Sequence, residues 1–513
     1  MGRRGMIATS QPLASAAGLD ILGQGGNAID AAVAAAGVLS VVEPTMTGVG
    51  GDLFAIVHDA ATGRTRGLNA SGRSPHGATL DRLHAHGHTS MPDHGVLAVT
   101  VPGAVDGWSQ LLTEHGSLSL QQALAPAITH ARNGFPVAEV VARQWKDEMP
   151  KLAADAMTAA TWLPGGRAPE PGDIFHCPAL ATSLEMIAAN GSDVFYRGEL
   201  AQTIAEDADK RGGWLTASDL ADHHSEWIEP IRTPYRDIEL LELPPNTQGF
   251  VALEALNILS GDDLTRLGHN SPEYLHLLLE ALAIAFADRN AHLADPSNVP
   301  DETLQQLISR DYGLARRRDI QTTRARAPEP NHADTRRTTG DTVYLAAADA
   351  AGNLISLIQS LYAGFGAGIV AGDTGILLHN RGSLFSTDPS HPNRLAPHKR
   401  PLHTLAPAMA FRQGRPWLAF GVMGGDMQPQ GHLQVLLNLT CFGMNLQEAG
   451  DAPRVRYDPL GISLEAGIPK TTAAALRTRG HDFIDSLGFG GFQGVIVDPV
   501  TGVLMGAISM CGR

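Results

Sequence analysis

Residues 342 to 360 constrain the fold of this chain more than any other stretch. Thr342-Val-Tyr-Leu-Ala-Ala-Ala-Asp349 is followed by the turn Ala350-Ala-Gly-Asn353 and then by Leu354-Ile-Ser-Leu-Ile-Gln-Ser360. Two nearly continuous apolar runs across a short turn predict a β-hairpin covered on both faces, since a half-exposed strand would alternate polar with apolar residues. A sheet of that kind needs packing above and below it. With 513 residues and 43% hydrophobic content, the chain is ample for one large core or two intimately packed halves.

The hairpin follows a change of character. From Arg310 to Gly340, Arg316-Arg-Arg318, Pro328-Glu-Pro330 and Arg336-Arg-Thr-Thr-Gly340 show no apolar periodicity and predict an exposed connector. The organisation expected is a large part, 1–341, ending in a connector over about 310–341, and a smaller part, 342–513. In the large part, a helix opening near Ser10 stops at Gly25-Gly26-Asn27. Ala28 to about Leu39 predicts a helix buried on most faces and ended by Pro44. The turn Thr47-Gly-Val-Gly-Gly-Asp52 feeds a buried strand, Leu53 to Val57. The region 100–310 reads as mainly helical. Leu111 to Gly134 is broken at Gly116 and Pro126, Leu180 to Asn190 is helical, and Glu273 to Asp288 is a long helix. Leu241 to Asn246 is a strand closed by prolines.

Net charge is −15, from 38 basic and 53 acidic residues, a surface that repels phosphate backbones and anionic lipid. Nucleic-acid and membrane partners are therefore not expected. The most apolar stretch, Ala31 to Val42, is too short to span a bilayer. Three scattered cysteines, Cys177, Cys441 and Cys511, give no disulfide framework. The absence of an apolar run before Ser10 predicts no secretory signal, so the expected location is cytoplasmic.

Thr342, entering a buried strand straight after an exposed connector, admits two readings. One is a strand-entry threonine. The other needs a cut between Asp341 and Thr342, after which one residue carries a hydroxyl nucleophile and a free α-amine. The amine's ordinary pKa, about 7.7–8.0, suits it to take the hydroxyl proton. Met423-Gly-Gly-Asp-Met-Gln-Pro-Gln-Gly431 also admits two. Gly424 and Gly425 can aim backbone N–H groups at an oxyanion before a helix start, or the stretch is a tight turn with Asp426 as N-cap. His84-Ala-His-Gly-His88 lacks a carboxylate or cysteine at ligand spacing and reads as a solvated loop. Thr47–Gly51 lacks the ending of a P-loop. Asp288-Arg289 reads as a structural ion pair. No metal or cofactor is expected.

Taken together, several motifs resemble the gamma-glutamyltransferase family, which includes glutathione hydrolases and class IV cephalosporin acylases. The likeness runs through Gly25-Gly-Asn-Ala-Ile-Asp-Ala-Ala32, Thr47–Asp52, Val101-Pro-Gly-Ala-Val-Asp-Gly107, Phe195-Tyr-Arg-Gly198 and Leu243-Pro-Pro-Asn-Thr-Gln-Gly249. It continues through Asp341-Thr-Val-Tyr344, Gly352-Asn353, Phe365-Gly-Ala-Gly-Ile-Val-Ala-Gly372, Arg400-Pro-Leu402 and Met423-Gly-Gly425. The resemblance implies an α+β fold, the four-layer αββα sandwich of N-terminal nucleophile hydrolases. It implies self-cleavage before Thr342 into two subunits that stay together, and it allows a dimer of such pairs. Thr342 would then be the nucleophile, its free amine the base, Ser360 a supporting hydroxyl, and Gly424 and Gly425 the oxyanion hole. The partners implied are a small acyl donor and a water or amine acceptor.

The sequence departs from the family's substrate pocket. Counting without gaps, the family's arginine falls on Ser71, with Arg73 two residues on. Its acidic residue falls on Leu384, its serine pair on His403-Thr404, and a glutamine on Arg381. With Tyr362, the residues expected to contact substrate are Arg73, Arg381, Leu384, His403 and Thr404. A leucine cannot compensate an ammonium, so the expected donor is not glutathione but a compound with one carboxylate, a keto acid or an apolar acyl amide. A carbon-carbon bond hydrolase acting beside a keto group in antibiotic biosynthesis is an alternative. An uncleaved binding homologue is a second.

Overall fold

The computed structural model describes residues 1–326, 341–485 and 488–509. Twelve strands form two six-stranded sheets, antiparallel throughout. In chain order they are β1 (Gly5–Thr9), β2 (Asp52–Asp59), β3 (Arg64–Ala70), β4 (Glu226–Ile228), β5 (Ile231–Tyr235) and β6 (Ile238–Glu242). They continue with β7 (Asp341–Asp349), β8 (Leu354–Tyr362), β9 (Ala408–Arg412), β10 (Arg415–Val422), β11 (Phe492–Val497) and β12 (Leu504–Ile508). The first sheet runs β1-β7-β8-β2-β3-β4 and the second β12-β11-β10-β9-β6-β5.

The predicted hairpin is β7–β8, and its apolar continuity has the expected cause. On β7, Tyr344, Ala346 and Ala348 face the layer between the sheets, where they meet Leu241, Met409, Ala419 and Val495. Val343, Leu345 and Ala347 face the other way, into a helical layer. The period of two along the strand sends alternate residues into different cores, and both cores are apolar. A third apolar layer lies outside the second sheet. The result is αββα.

The outer layer on the first sheet is built on α1 (Pro12–Gly23), α2 (Ala28–Val42) and α3 (Leu120–Asn133). Every residue of α2 is buried. Asn27 caps it, with Asp30 returning the bond to the Asn27 N–H, a reciprocal cap that satisfies two orphan donors. The layer on the second sheet includes α4 (Phe250–Leu259), α5 (Pro272–His292) and α6 (Met427–Thr440). Among the described residues no helix is long and apolar enough to cross a membrane.

Three local expectations are corrected. Pro126 does not break its helix; it lies inside α3, where burial of Ala123, Leu124, Ala127 and Ala131 outweighs one missing backbone bond. The connector does not begin at Arg310, because Arg310–Arg317 is helical, with Ser309 as cap and the Arg317 guanidinium forked on Asp262 at 2.6 and 2.8 Å. Asp288 and Arg289 do not pair with each other: Asp288 accepts from the Tyr312 hydroxyl at 2.7 Å, and Arg289 turns to Asp426. The rest of the connector, from 327 to 340, and Cys511 lie outside the described residues. Cys177 and Cys441 are buried free thiols.

Candidate active site

The site begins at a β-bulge. On β8, Gln359 pairs with Val343 and Tyr362 with Asp341, so Ser360 and Leu361 both stand opposite Thr342. A bulge of this kind bends the strand and re-aims a side chain. Here it turns the Ser360 hydroxyl into the strand end. The strand opens at Asp341, one residue earlier than expected, so the Asp341–Thr342 peptide is itself part of the strand.

Thr342 is buried, and its hydroxyl donates to Ser360 Oγ at 3.4 Å. Ser360 Oγ also accepts the Tyr362 N–H at 2.7 Å and donates its own proton to the Asp341 carbonyl oxygen at 2.5 Å. One hydroxyl thus uses its single donor and both acceptor positions. Tyr362 holds a φ of +81°, a conformation rare for an aromatic residue. Burial and the nearby Glu148 carboxylate push the Asp341 carboxyl up to about 7, against the opposing effect of Lys151 and the Gly364 N–H. The glycine-rich turn before β2 packs directly beneath this point. A Cβ on Gly51 would lie 2.5 Å from the Ser360 carbonyl oxygen, so only glycine allows the two backbones to approach.

Asp52, the residue that closes that turn, pairs with Ser360 across the sheet and carries a buried carboxylate. It accepts from His403 Nε2 at 3.0 Å and from the Gly72 N–H at 3.2 Å. Both neighbouring imidazoles are neutral on hydrogen-bond grounds. His403 Nδ1 accepts the Leu405 N–H, while Nε2 donates to Asp52. His379 Nδ1 accepts the Arg381 N–H, while Nε2 donates to the Thr100 carbonyl. Burial lowers both, His403 to about 3. Burial alone would raise Asp52, but the His403 hydrogen bond and the Arg381 charge oppose it, and its carboxyl is held well below the carboxylate range. Arg381 is then the cation that balances Asp52.

Arg381 is fully buried. Its guanidinium carbon lies 4.4 Å from the centre of the Tyr362 ring, and Nη1 donates to Thr404 Oγ1 at 2.9 Å. Nε and Nη2 have no hydrogen-bond partner among the described residues. Burial brings it down to about 10, still charged at neutral pH. The free edge of the guanidinium, Nε with Nη2, is the one that receives both oxygens of a carboxylate side-on.

Gly424 and Gly425 form the turn into α6 at φ of +104° and +59°. Their carbonyls accept from the N–H groups of Met427 and Gln428. Asp426 occupies the N-cap position without capping through its side chain. Instead it accepts from Arg289 Nη1 at 2.5 Å. The same nitrogen donates to Gln248 Oε1 at 2.7 Å, and Gln248 Nε2 holds the carbonyls of Gly425 and Thr404 at 3.0 and 2.8 Å. Gln248 and Arg289 thereby lock the two glycines to the segment that holds Arg381.

The structure therefore gathers Thr342, Ser360, Tyr362, Arg381, His403 and Thr404 into one connected site, with the two glycines tied to it. Leu384 ends the short turn that carries Arg381 and is half-buried, its carbonyl held by Asn393. Ser71 is engaged by Asn69 and Asn246. Arg73 is not brought to Thr342: its guanidinium pairs with Glu226 at 2.8 Å and lines a small cleft with Asp219, Asp222 and His398. The sequence reading passes over Asp52, Gln248 and His379 and takes Arg289 only as the partner of Asp288. Asp52 and Gln248 lie inside quoted motifs, and that was the available signal.

The description gamma-glutamyltranspeptidase matches residues 14–509. The chain belongs to the gamma-glutamyltranspeptidase family. The glutathione hydrolase-like YwrD proenzyme of Bacillus subtilis (strain 168) is 40% identical over 490 residues, 94% of this chain and 91% of that protein. The oxamate amidohydrolase proenzyme of Klebsiella pneumoniae is 36% identical over 518 residues, 98% and 96% of the two chains. The crystal structure of cephalosporin acylase from Bacillus halodurans superposes with a TM-score of 0.93 at 42% identity, covering 100% of this chain and 96% of that one. The four layers are thus those of the family's N-terminal nucleophile hydrolase fold, and the chain is an amidohydrolase or acylase of this family.

Proposed function

We propose that this chain is the precursor of a self-processing N-terminal threonine hydrolase or acyltransferase whose acyl donor carries a single carboxylate. The observation that carries the reading is the Ser360 hydroxyl, which touches both the Thr342 hydroxyl and the Asp341 carbonyl oxygen. In the first step Thr342 Oγ attacks the Asp341 carbonyl carbon, and the Ser360 proton supports the negative oxygen that develops. Collapse breaks the C–N bond, the proton given up by Thr342 Oγ passes to the departing nitrogen, and Asp341 is left esterified on Thr342 Oγ beside a free amine. Water then hydrolyses the ester.

The mature residue holds nucleophile and base together. The amine takes the hydroxyl proton as Oγ attacks the donor carbonyl, and the N–H groups of Gly424 and Gly425 receive the oxyanion. The leaving group departs with that proton, and water or an amine releases the acyl group from Thr342.

The two pieces stay together after the cut. In the first sheet the small-subunit hairpin β7–β8 lies between β1 and β2 of the large subunit. In the second sheet β9 pairs with β6. Separation would break sheet pairing on both faces of the inner core.

The substrate class follows from Arg381. A buried charge with two unpaired N–H groups is costly to leave so, by roughly 1–3 kcal/mol for each neutral donor and more for a charged one. A substrate carboxylate on the Nε–Nη2 edge removes that deficit. The turn that supplies Arg381 ends at Leu384, which offers an ammonium no counter-charge, so an α-amino acyl group fits poorly. A relative is named for oxamate, whose scissile carbonyl bears a carboxylate directly, and this chain is expected to accept a donor of that kind. The test is expression of wild type beside Thr342→Ala: two bands on a denaturing gel for the first and one for the second, while one band for both would exclude the reading.

A further inference from the structure

Away from the site, the fold brings His481 to His276 and Glu280, although His481 lies 205 residues from His276 in sequence. His276 and Glu280 stand one turn apart on α5, on the same face. The donor atoms of all three residues lie within 4.8 Å of one another. His276 Nδ1 and His481 Nε2 are 2.8 Å apart. His276 Nε2 faces the Gln321 carbonyl oxygen at 2.7 Å. A carbonyl can only accept, so the His276 proton sits on Nε2 and the Nδ1 lone pair points at the cluster. A backbone carbonyl behind a histidine fixes tautomer and ring plane in this way at metal centres. Glu280 is 3% exposed, and its carboxylate accepts the Arg326 N–H at 3.1 and 3.2 Å.

We propose that His276, Glu280 and His481 bind one divalent zinc-type ion, with water as the fourth ligand. Two imidazoles and one carboxylate match the borderline preference of such an ion rather than that of calcium or magnesium. At Zn–N distances of about 2.0–2.1 Å a tetrahedral ion sets its ligand nitrogens about 3.3 Å apart, so the imidazoles need open by roughly half an ångström. In the metal-free protein the His481 Nε2 proton fills the gap. On binding, His481 passes to the tautomer with its proton on Nδ1, which leaves the Nε2 lone pair for the ion.

The cluster joins α5, the Gln321–Arg326 segment and His481. On the processing reading above, the first two belong to the large subunit and His481 to the small one, so the ion would be a clasp across the cut. Metal binding itself does not depend on that reading.

The exposed His84–His88 tract is the competing site, and the experiment separates the two. Purified protein is stripped with chelator, titrated with zinc and then with cobalt(II), and the bound metal is counted after gel filtration. Wild type and the variant with His84, His86 and His88 all replaced by alanine should each retain one equivalent and show the visible bands of tetrahedral cobalt. His481→Ala and Glu280→Gln should weaken zinc binding about tenfold or more, with the fold checked by circular dichroism. The proposal is overturned if stripped wild type takes up no stoichiometric metal or its cobalt form lacks those bands. It is also overturned if binding disappears with the His84–His88 tract, or if folded His481→Ala binds as tightly as wild type. The cobalt spectrum and the tract variant decide the matter even where a cluster variant fails to fold.

Discussion

The Ser360 hydroxyl donates to the Asp341 carbonyl oxygen at 2.5 Å and accepts from the Thr342 hydroxyl at 3.4 Å. Ser360 thus polarises the peptide that Thr342 would attack. Removing it leaves both partners in place and deletes one oxyanion donor. Ser360→Ala should slow the appearance of two bands by about a hundredfold, read as a time course from freshly made precursor. An unchanged rate would remove Ser360 from the processing step.

Arg381 offers a carboxylate two parallel N–H bonds. Arg381→Gln should lower kcat/KM for carboxylate-bearing donors by about a hundredfold, some 3 kcal/mol. An uncharged donor of the same length should lose far less. Arg381→Lys keeps the charge without the fork and should recover only part. Equal losses on both donors would show that Arg381 supports the fold and not the substrate.

Gln248 ties the Gly425 and Thr404 carbonyls to Arg289. Gln248→Ala releases the glycine turn, whose N–H groups are assigned to the oxyanion. The expected result is a fall in kcat of about tenfold or more with little change in KM, the pattern of an interaction made in the transition state. A rise in KM with kcat intact would place the turn in ground-state binding.

Asp341 sits at about 7, above the ordinary 3.8, because burial and Glu148 disfavour its charge. Between those values the folded precursor keeps a proton that the unfolded chain has lost, so its contribution to stability falls as pH rises from about 4 to 7 and is level above. In a Thr342→Ala precursor, urea midpoints measured at about pH 5 and about pH 8 should differ more with Asp341 than with Asp341→Asn. The same difference in both would mean that Asp341 ionises normally.

What the sequence revealed follows from how local each signal was. The β7–β8 hairpin and α2 rest on periodicity within a short window, and the structure has them within a few residues. Thr342 and the glycines were visible because strand entry and paired glycines are local features. Asp52, His379 and Gln248 act through partners far along the chain, and nothing near them in sequence tells of those contacts. Arg289 was misread for the same reason. Its neighbour Asp288 was the obvious partner, whereas α5 carries Arg289 to Asp426, 137 residues away. Pro126 shows burial overriding a local breaker.

The central claim is that the working enzyme has an unblocked amine on residue 342. N-terminal sequencing of freshly active material, with intact mass of both polypeptides, tests it directly. The account predicts a smaller polypeptide beginning Thr-Val-Tyr-Leu, with activity rising as it appears. Full activity in a single chain still joined through Asp341 would contradict it.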